Sequence, residues 1–201
     1  MILPETFYTR DDVVLIAQEL LGKVLVTNID GNYTAGMIVE TEAYAGEGDK
    51  ASHAFGGRRT ARTEQMYSKG GNAYVYLCYG IHHLFNVVTN KKDIPHAVLI
   101  RGLEPIDGID IMLKRRGMAK LKPNISAGPG TLSEAMGITT SFSGDSLLQE
   151  SIYIEDRGFK IADEAIVVGT RVGVGYAKED AFLPYRFSIK GNKYVSKGKG
   201  A

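Results

Sequence analysis

A chain of 201 residues that is 44% hydrophobic can bury a full core as one domain, residues 1–201, without covalent staples. A formal net charge of +1 argues on its face against a nucleic-acid partner, and no segment approaches the roughly 18 apolar residues of a membrane helix. The lone Cys78, in an apolar run, excludes an internal disulfide and reads as a small buried hydrophobe, and "MILPETFYTR" has no basic leader, so a soluble, unprocessed protein in a reducing, cytoplasmic setting is expected.

Along the chain, "TRDDVVLIAQELLGK" sets Thr9 and Asp12 at capping-box spacing and puts Val13, Ile16, Ala17 and Leu20 on one face, predicting a helix over about 10–21. Strands follow at about 23–29 and 33–44, joined around Asp30-Gly31, a dipeptide suited to a hairpin turn. From Ala45 to Gly71 periodicity gives way to glycine, the mark of a long irregular loop of the kind retained for function. Strand patterning returns at "AYVYLCY", "HLFNVVTN" and "HAVLIRGLEP". Helices are expected over 107–116 and 131–136, and short β runs near Ile152, Val167, Val172 and Phe187. Hairpin-like spacing with few helices predicts an α+β domain: a curved, mainly antiparallel sheet with peripheral helices.

Charge is segregated behind its small total. Glu40, Glu42, Glu47 and Asp49 fall together, and Arg58, Arg59, Arg62 and Lys69 follow with only Glu64 among them. Lys114, Arg115, Arg116, Lys120 and Lys122 form a second basic run, and Lys190, Lys193, Lys197 and Lys199 a third. Each run taken alone also fits a solvated face.

Strand alternation places Glu40, Glu42 and Tyr44 on one surface, and partial burial there would raise a carboxyl pKa toward that of a useful base; an edge strand guarded by charge is the plainer alternative. His53, His82, His83 and His96 show no zinc spacing, so neither a metal nor another cofactor is expected. In "YVYLCYG", Tyr74 and Tyr76 share a strand face, while Tyr79 precedes Gly80 at a turn, where its ring either projects for a partner or packs under a loop.

In order, "VETEAY", "ASHAFGGRRTART", "YVYLCYGIHHLFNV", "AVLIRGLEP", "GPGTLSEAMGI" and "RVGVGYA" with "LPYRFSIKGNKYVS" closely resemble the alkyladenine (3-methyladenine) DNA glycosylase family, from about residue 4 to residue 196. The resemblance implies a monofunctional enzyme that flips alkylated or deaminated purines out of double-stranded DNA and hydrolyses the N-glycosidic bond, leaving an abasic site for base excision repair. It implies Glu42 as general base, with Arg101 and the backbone carbonyl of Val174 helping to hold the attacking water. Tyr44, His53 and Tyr76 would sandwich the base, Ala51 and His53 read its edge, Asn86 crowd the amine of normal guanine, and Tyr79 fill the gap in the stack. Tyr74 is left to packing. A bacterial-type monomer, nucleoid-associated when acting and with no membrane partner, is the corresponding expectation.

Three features depart from the family pattern. There is no tryptophan near the C-terminal block, where Tyr194 or Tyr185 would substitute; His82 stands beside the wedge in place of an aromatic residue; and Thr131 follows "GPG" in place of a base. A carbohydrate hydrolase using both Glu40 and Glu42, and a non-catalytic nucleic-acid module built on basic runs and exposed rings, are the competing readings.

Overall fold

The computed structural model describes residues 1–198 and 200, so Lys199 of the basic tail lies outside the described residues. A one-turn helix, α1 (Glu5–Tyr8), precedes the expected amphipathic helix, which is shorter than its periodicity, α2 (Val13–Glu19). Asp12 is itself the N-cap, its carboxylate accepting the Leu15 N–H at 2.9 Å, while Thr9 closes α1; the aspartate satisfies the helix's free donors directly, so no Thr9 capping box forms.

Strands β1 (Val24–Ile29) and β2 (Asn32–Tyr44) make the expected hairpin, with Asp30 at φ 50° and Gly31 at φ 74° in the left-handed region its tight turn needs. The others are β3 (Ala73–Cys78), β4 (His82–Thr89), β5 (His96–Asp107), β6 (Ile152–Glu155), β7 (Ile166–Gly169) and β8 (Arg186–Ile189). They build one curled antiparallel sheet in the order β3-β4-β5-β2-β1-β6, with β8 joined to β2 and β7 to β8. Helices α3 (Ile109–Arg115) and α4 (Pro129–Met136) complete an α+β fold that is mostly sheet with helices at its periphery.

Two stretches differ from expectation. The segment from Ala45 to Gly71 holds short 3₁₀ turns at Gly46–Gly48, Phe55–Gly57 and Glu64–Tyr67. Around Val172 no strand forms: the residue makes one isolated bridge with Gly200, because its N–H is turned to a side chain described below. Among the described residues, no helix is long and apolar enough to cross a membrane.

Strand alternation divides the sheet's two faces. Ala43, Val75, Phe85, Val87, Val98 and Ile100 enter the principal core with Ile16 of α2, Leu20 at that helix's C-cap, and Leu132 and Met136 of α4, each large side chain contributing about 1.5–3 kcal/mol by burial. Thr41, on this same face, donates its hydroxyl to the Ala17 carbonyl at 2.7 Å and ties α2 to β2. On the other face, directly opposed residues run in rows across the strands, since cross-strand partners project to one side. Tyr74 opposes Asn86, Asn86 opposes Leu99, Leu99 opposes Glu42, and Glu42 opposes Arg186; in the next row Val88 opposes Ala97 and Ala97 opposes Tyr44.

A register slip interrupts this order. Glu40 pairs with Gly102 and Thr41 with Ile100, leaving Arg101 as the extra residue of a bulge on β5. Bulges re-aim side chains, and this one lays the guanidinium along both Glu40 and Glu42.

Candidate active site

Glu42 is fully buried near the C-terminal end of β2, yet its carboxylate is met by polar partners. Oε1 accepts the Val172 N–H at 2.7 Å; Oε2 accepts the Tyr44 hydroxyl at 2.8 Å and Nη1 of Arg101 at 3.4 Å. Burial pushes the Glu42 carboxyl above its ordinary pKa, an effect that Arg101, the Val172 N–H and Tyr44 oppose without cancelling. The Tyr44 hydroxyl is driven well upward by burial and by Glu42's charge, so it remains a proton donor to that carboxylate.

Glu40, two residues earlier on the same face, is differently employed. Its Oε1 accepts Nε of Arg101 at 3.0 Å, Nε of Arg186 at 2.8 Å and the Ser196 hydroxyl at 2.9 Å, while Oε2 accepts the Ser196 N–H at 2.7 Å. Its lone pairs are committed to the protein, and it holds Arg101 in place for Glu42. Burial works against the charge on Arg101, but Glu42 and Glu40 outweigh it and raise its pKa.

Tyr44 leads from this polar cluster to a cleft. The rings of Tyr44, Tyr74, Tyr76 and Tyr176, with His53, Asn86, Ala51, Met66 and Ala97, line a narrow, partly open cleft. Glu42 is not itself in the lining; it stands one hydrogen bond behind the Tyr44 wall. His53 meets the edge of Tyr76 at 4.7 Å between ring centres, and its Nδ1 shares a 2.9 Å hydrogen bond with the Tyr74 hydroxyl. Burial first, then the charges of Arg62 and Arg58, lower the His53 pKa to about 4, so the imidazole in the cleft is neutral at physiological pH. Asn86 donates its amide to the carbonyls of Tyr74 at 3.0 Å and Leu84 at 3.2 Å, which fixes its orientation toward the cavity.

The structure thus brings Glu42, Arg101, Tyr44, Ala51, His53, Tyr76 and Asn86 into one neighbourhood. The carbonyl of Val174 accepts the Ala177 N–H at 2.8 Å as the 3₁₀ segment Gly175–Phe182 begins, and the residue packs with Ala51, Ala177 and Ala181. Val172, the earlier valine of "RVGVG", is the one that touches Glu42.

Tyr74 does more than pack: nearly buried, it also forms the back of the cleft and holds His53. Tyr176 was missed, although it stands in a matched block; its hydroxyl donates to the Ala51 carbonyl at 3.0 Å, and Ala51 donates its N–H to Asp49 at 3.0 Å. Arg171 was missed too. It is fully buried, makes two hydrogen bonds to Asp49, and lies between the rings of Tyr44, at 4.9 Å, and Tyr185, at 5.2 Å. Tyr185 and the buried Tyr194 both stand near the site, but only Tyr185 stacks on its cation.

Tyr79 projects from the β3–β4 turn, 92% exposed, with φ 52° beside Gly80 at φ 74°. A non-glycine residue in the left-handed region is strained, and a bare aromatic ring there gains nothing from the fold. Ile81 is exposed next to it; Cys78, expected in the core, is only half-buried because the hairpin tip stands away from the body. His82 lies against Gly130, and the Thr131 hydroxyl folds back onto the Gly128 carbonyl at 2.9 Å at the start of α4. Among the described residues, no group of three or more His, Cys, Asp or Glu side chains is placed to hold a metal ion.

Comparison with known proteins gives one consistent result. The family model described as methylpurine-DNA glycosylase matches residues 6–193. A protein of Chlamydia abortus (strain DSM 27085 / S26/3) is 48% identical over 188 residues, covering 93% of this chain and 97% of that one. One from Clostridium perfringens (strain 13 / Type A) is 47% identical over 205 residues, covering 98% and 100%, and one from Bacillus cereus (strain Q1) 44% over 202 residues, covering 96% and 98%. All three bear the name "Putative 3-methyladenine DNA glycosylase".

Proposed function

The chain belongs to the methylpurine-DNA glycosylase family, and from that premise we propose that it takes damaged purines out of duplex DNA and hydrolyses their bond to the sugar, leaving an abasic site. The observation that carries this reading is the hydrogen bond from Tyr44, a wall of the aromatic cleft, to the buried carboxylate of Glu42. A base taken into the cleft would bring its sugar carbon to the edge where that carboxylate stands.

In this reading the purine stacks between Tyr44 and Tyr76 beside His53, with its edge toward Ala51 and His53. Extrusion costs a few kcal/mol, less for a damaged or mispaired base, and selection begins there. A purine alkylated at N3 or N7 carries positive charge, which strengthens its stacking on the rings and weakens its bond to the sugar. As the base departs with the bonding electrons, the sugar becomes cationic. Glu42 stabilises it and accepts a proton from the water that adds to the carbon, while Arg101 and the backbone at Val172 hold the carboxylate in line. No lysine of the matched blocks is placed for a Schiff base, so strand cleavage is not part of the reaction. The enzyme acts as a one-domain monomer on double-stranded DNA.

The test is direct: purified protein is incubated in chelator with duplexes each bearing one lesion, 3-methyladenine, 7-methylguanine, hypoxanthine or ethenoadenine, and abasic sites are scored. Binding without abasic sites would leave only a nucleic-acid module.

Tyr79→Ala should weaken binding to a lesion duplex roughly five- to a hundredfold, the worth of one stacked aromatic, with the fold unchanged because the ring touches little of it. A titration showing parental affinity would remove Tyr79 from the interface. Asn86→Ser should raise release of undamaged guanine roughly tenfold by opening space at the gate. Guanine release at the parental rate from an undamaged duplex would deny Asn86 that role.

A further inference from the structure

Two walls of the cleft are each backed by a guanidinium. Arg171 lies 4.9 Å from the centre of the Tyr44 ring and Arg62 lies 5.0 Å from that of Tyr76. The two cations are not equivalent. Asp49 neutralises Arg171 through two hydrogen bonds inside the protein, whereas Arg62 is exposed and makes no ion pair among the described residues. Glu64, the acid closest to Arg62 in sequence, is engaged by Arg59 at 2.7 Å, as is Asp93 at 2.9 Å. Tyr76 lines both the cleft and a second hollow that it shares with Arg62, Gln65 and Leu77, and Arg62 lines the second. The unpaired charge therefore sits over the Tyr76 ring and close to the Tyr74 hydroxyl.

We propose that Arg62 is a specificity-determining residue that weakens the cleft's preference for positively charged purines over neutral ones. The inference rests on the glycosylase reading above. An aromatic face attracts a cation through its quadrupole, and a guanidinium on the far face competes for that attraction while repelling any cation stacked on the near one. A base stacked on Tyr76 would be centred roughly 9 Å from Arg62, where two unit charges at an effective dielectric of about 40 to 80 repel by a factor of about two to five in an equilibrium constant. A neutral base feels no such penalty. The same charge acts on His53, which is faced by the Tyr74 hydroxyl at Nδ1, by Tyr76 edge-on, and by Arg62 and Arg58 as the charged groups that help keep it neutral.

The experiment compares Arg62→Met and Arg62→Gln, which remove the charge and keep a side chain over Tyr76, with Arg62→Lys, which keeps the charge. kcat/KM is measured for single-lesion duplexes carrying 7-methylguanine, a cation, and hypoxanthine, a neutral base, and His53 is titrated by NMR in the free proteins. The expected result is a two- to fivefold rise in the 7-methylguanine to hypoxanthine ratio for the Met and Gln variants, with a higher His53 pKa, and a Lys variant near the parent. An unmoved ratio, or equal losses on both substrates as for a simple phosphate contact, overturns the proposal. So does an unmoved His53 titration. A parent protein that releases neither base overturns this inference, and one that also releases nothing from 3-methyladenine or ethenoadenine duplexes overturns the glycosylase reading with it, results read before any variant is made.

Discussion

Glu42→Gln stops base release while lesion binding survives: single-turnover rates fall on the order of 10²–10⁴-fold, and affinity for a lesion duplex stays within a few-fold of the parent. The asymmetry follows from what the carboxylate touches. It contacts Val172, Tyr44 and Arg101 but does not line the cleft, so an amide of equal size keeps the walls standing and removes only the charge and the proton acceptor. The parent's pH profile carries the same signature. Burial raises the Glu42 pKa, so the active carboxylate is lost to protonation at a pH above that of an ordinary glutamate, and activity falls as pH drops through that raised value. In Glu42→Gln the acid limb of whatever activity remains should vanish. Glu40→Gln separates the substrate classes: with its carboxylate bound to Arg101, Arg186 and Ser196, it should lower the rate only partly, by loosening Arg101. Abolition as complete as for Glu42→Gln, together with turnover of a carbohydrate, would instead place two catalytic carboxylates about one sugar bond. Parental rates in Glu42→Gln would remove the general base altogether.

The parts of this molecule that could be read from the sequence are those set by neighbours. Asp30-Gly31 announced its hairpin because both residues tolerate positive φ, and the alternation that put Glu40, Glu42 and Tyr44 on one face held because a strand has period two. Tyr79 beside Gly80 indicated a projecting corner for the same local reason. What escaped depends on distant chain or on a slip in register. The bulge that turns Arg101 onto two carboxylates comes from how β2 and β5 pair, and no local pattern encodes it. That the Val172 N–H meets Glu42 depends on how a distant segment of chain packs against β2. Tyr74 looked like filling because its burial is real, and its bond to His53 reaches across a loop without periodicity. The family blocks pointed to the neighbourhood; the hydrogen bonds show which of its residues touch.

Arg171→Met should cost about 3–5 kcal/mol of stability, read as a lower midpoint in urea denaturation, because it strands the charge of Asp49 inside the protein. Asp49 accepts Nη1 and Nη2 of Arg171 and also the N–H groups of Ala45 and Ala51, so this one carboxylate joins the end of β2 to the loop that carries Ala51 and His53. Arg171 adds hydrogen bonds to the carbonyls of Ala43 and Asp180 and stacks on Tyr44, binding the segment around Val172 and Tyr176 to the same point. Stability alone is a poor account of such a pair. Among the described residues the Nε of Arg171 has no partner, and well-packed apolar groups often replace a buried ion pair at no loss. The double variant Asp49→Leu with Arg171→Met distinguishes the alternatives. It should recover much of the lost stability, since no lone charge remains buried, yet bind a lesion duplex more weakly than the parent, since Tyr44, Ala51 and Val172 are no longer held to one anchor. A double variant with parental affinity and parental base release would reduce the pair to a structural relic, and one as unstable as the single Arg171→Met would show that packing around Tyr44, rather than the stranded charge, sets the cost.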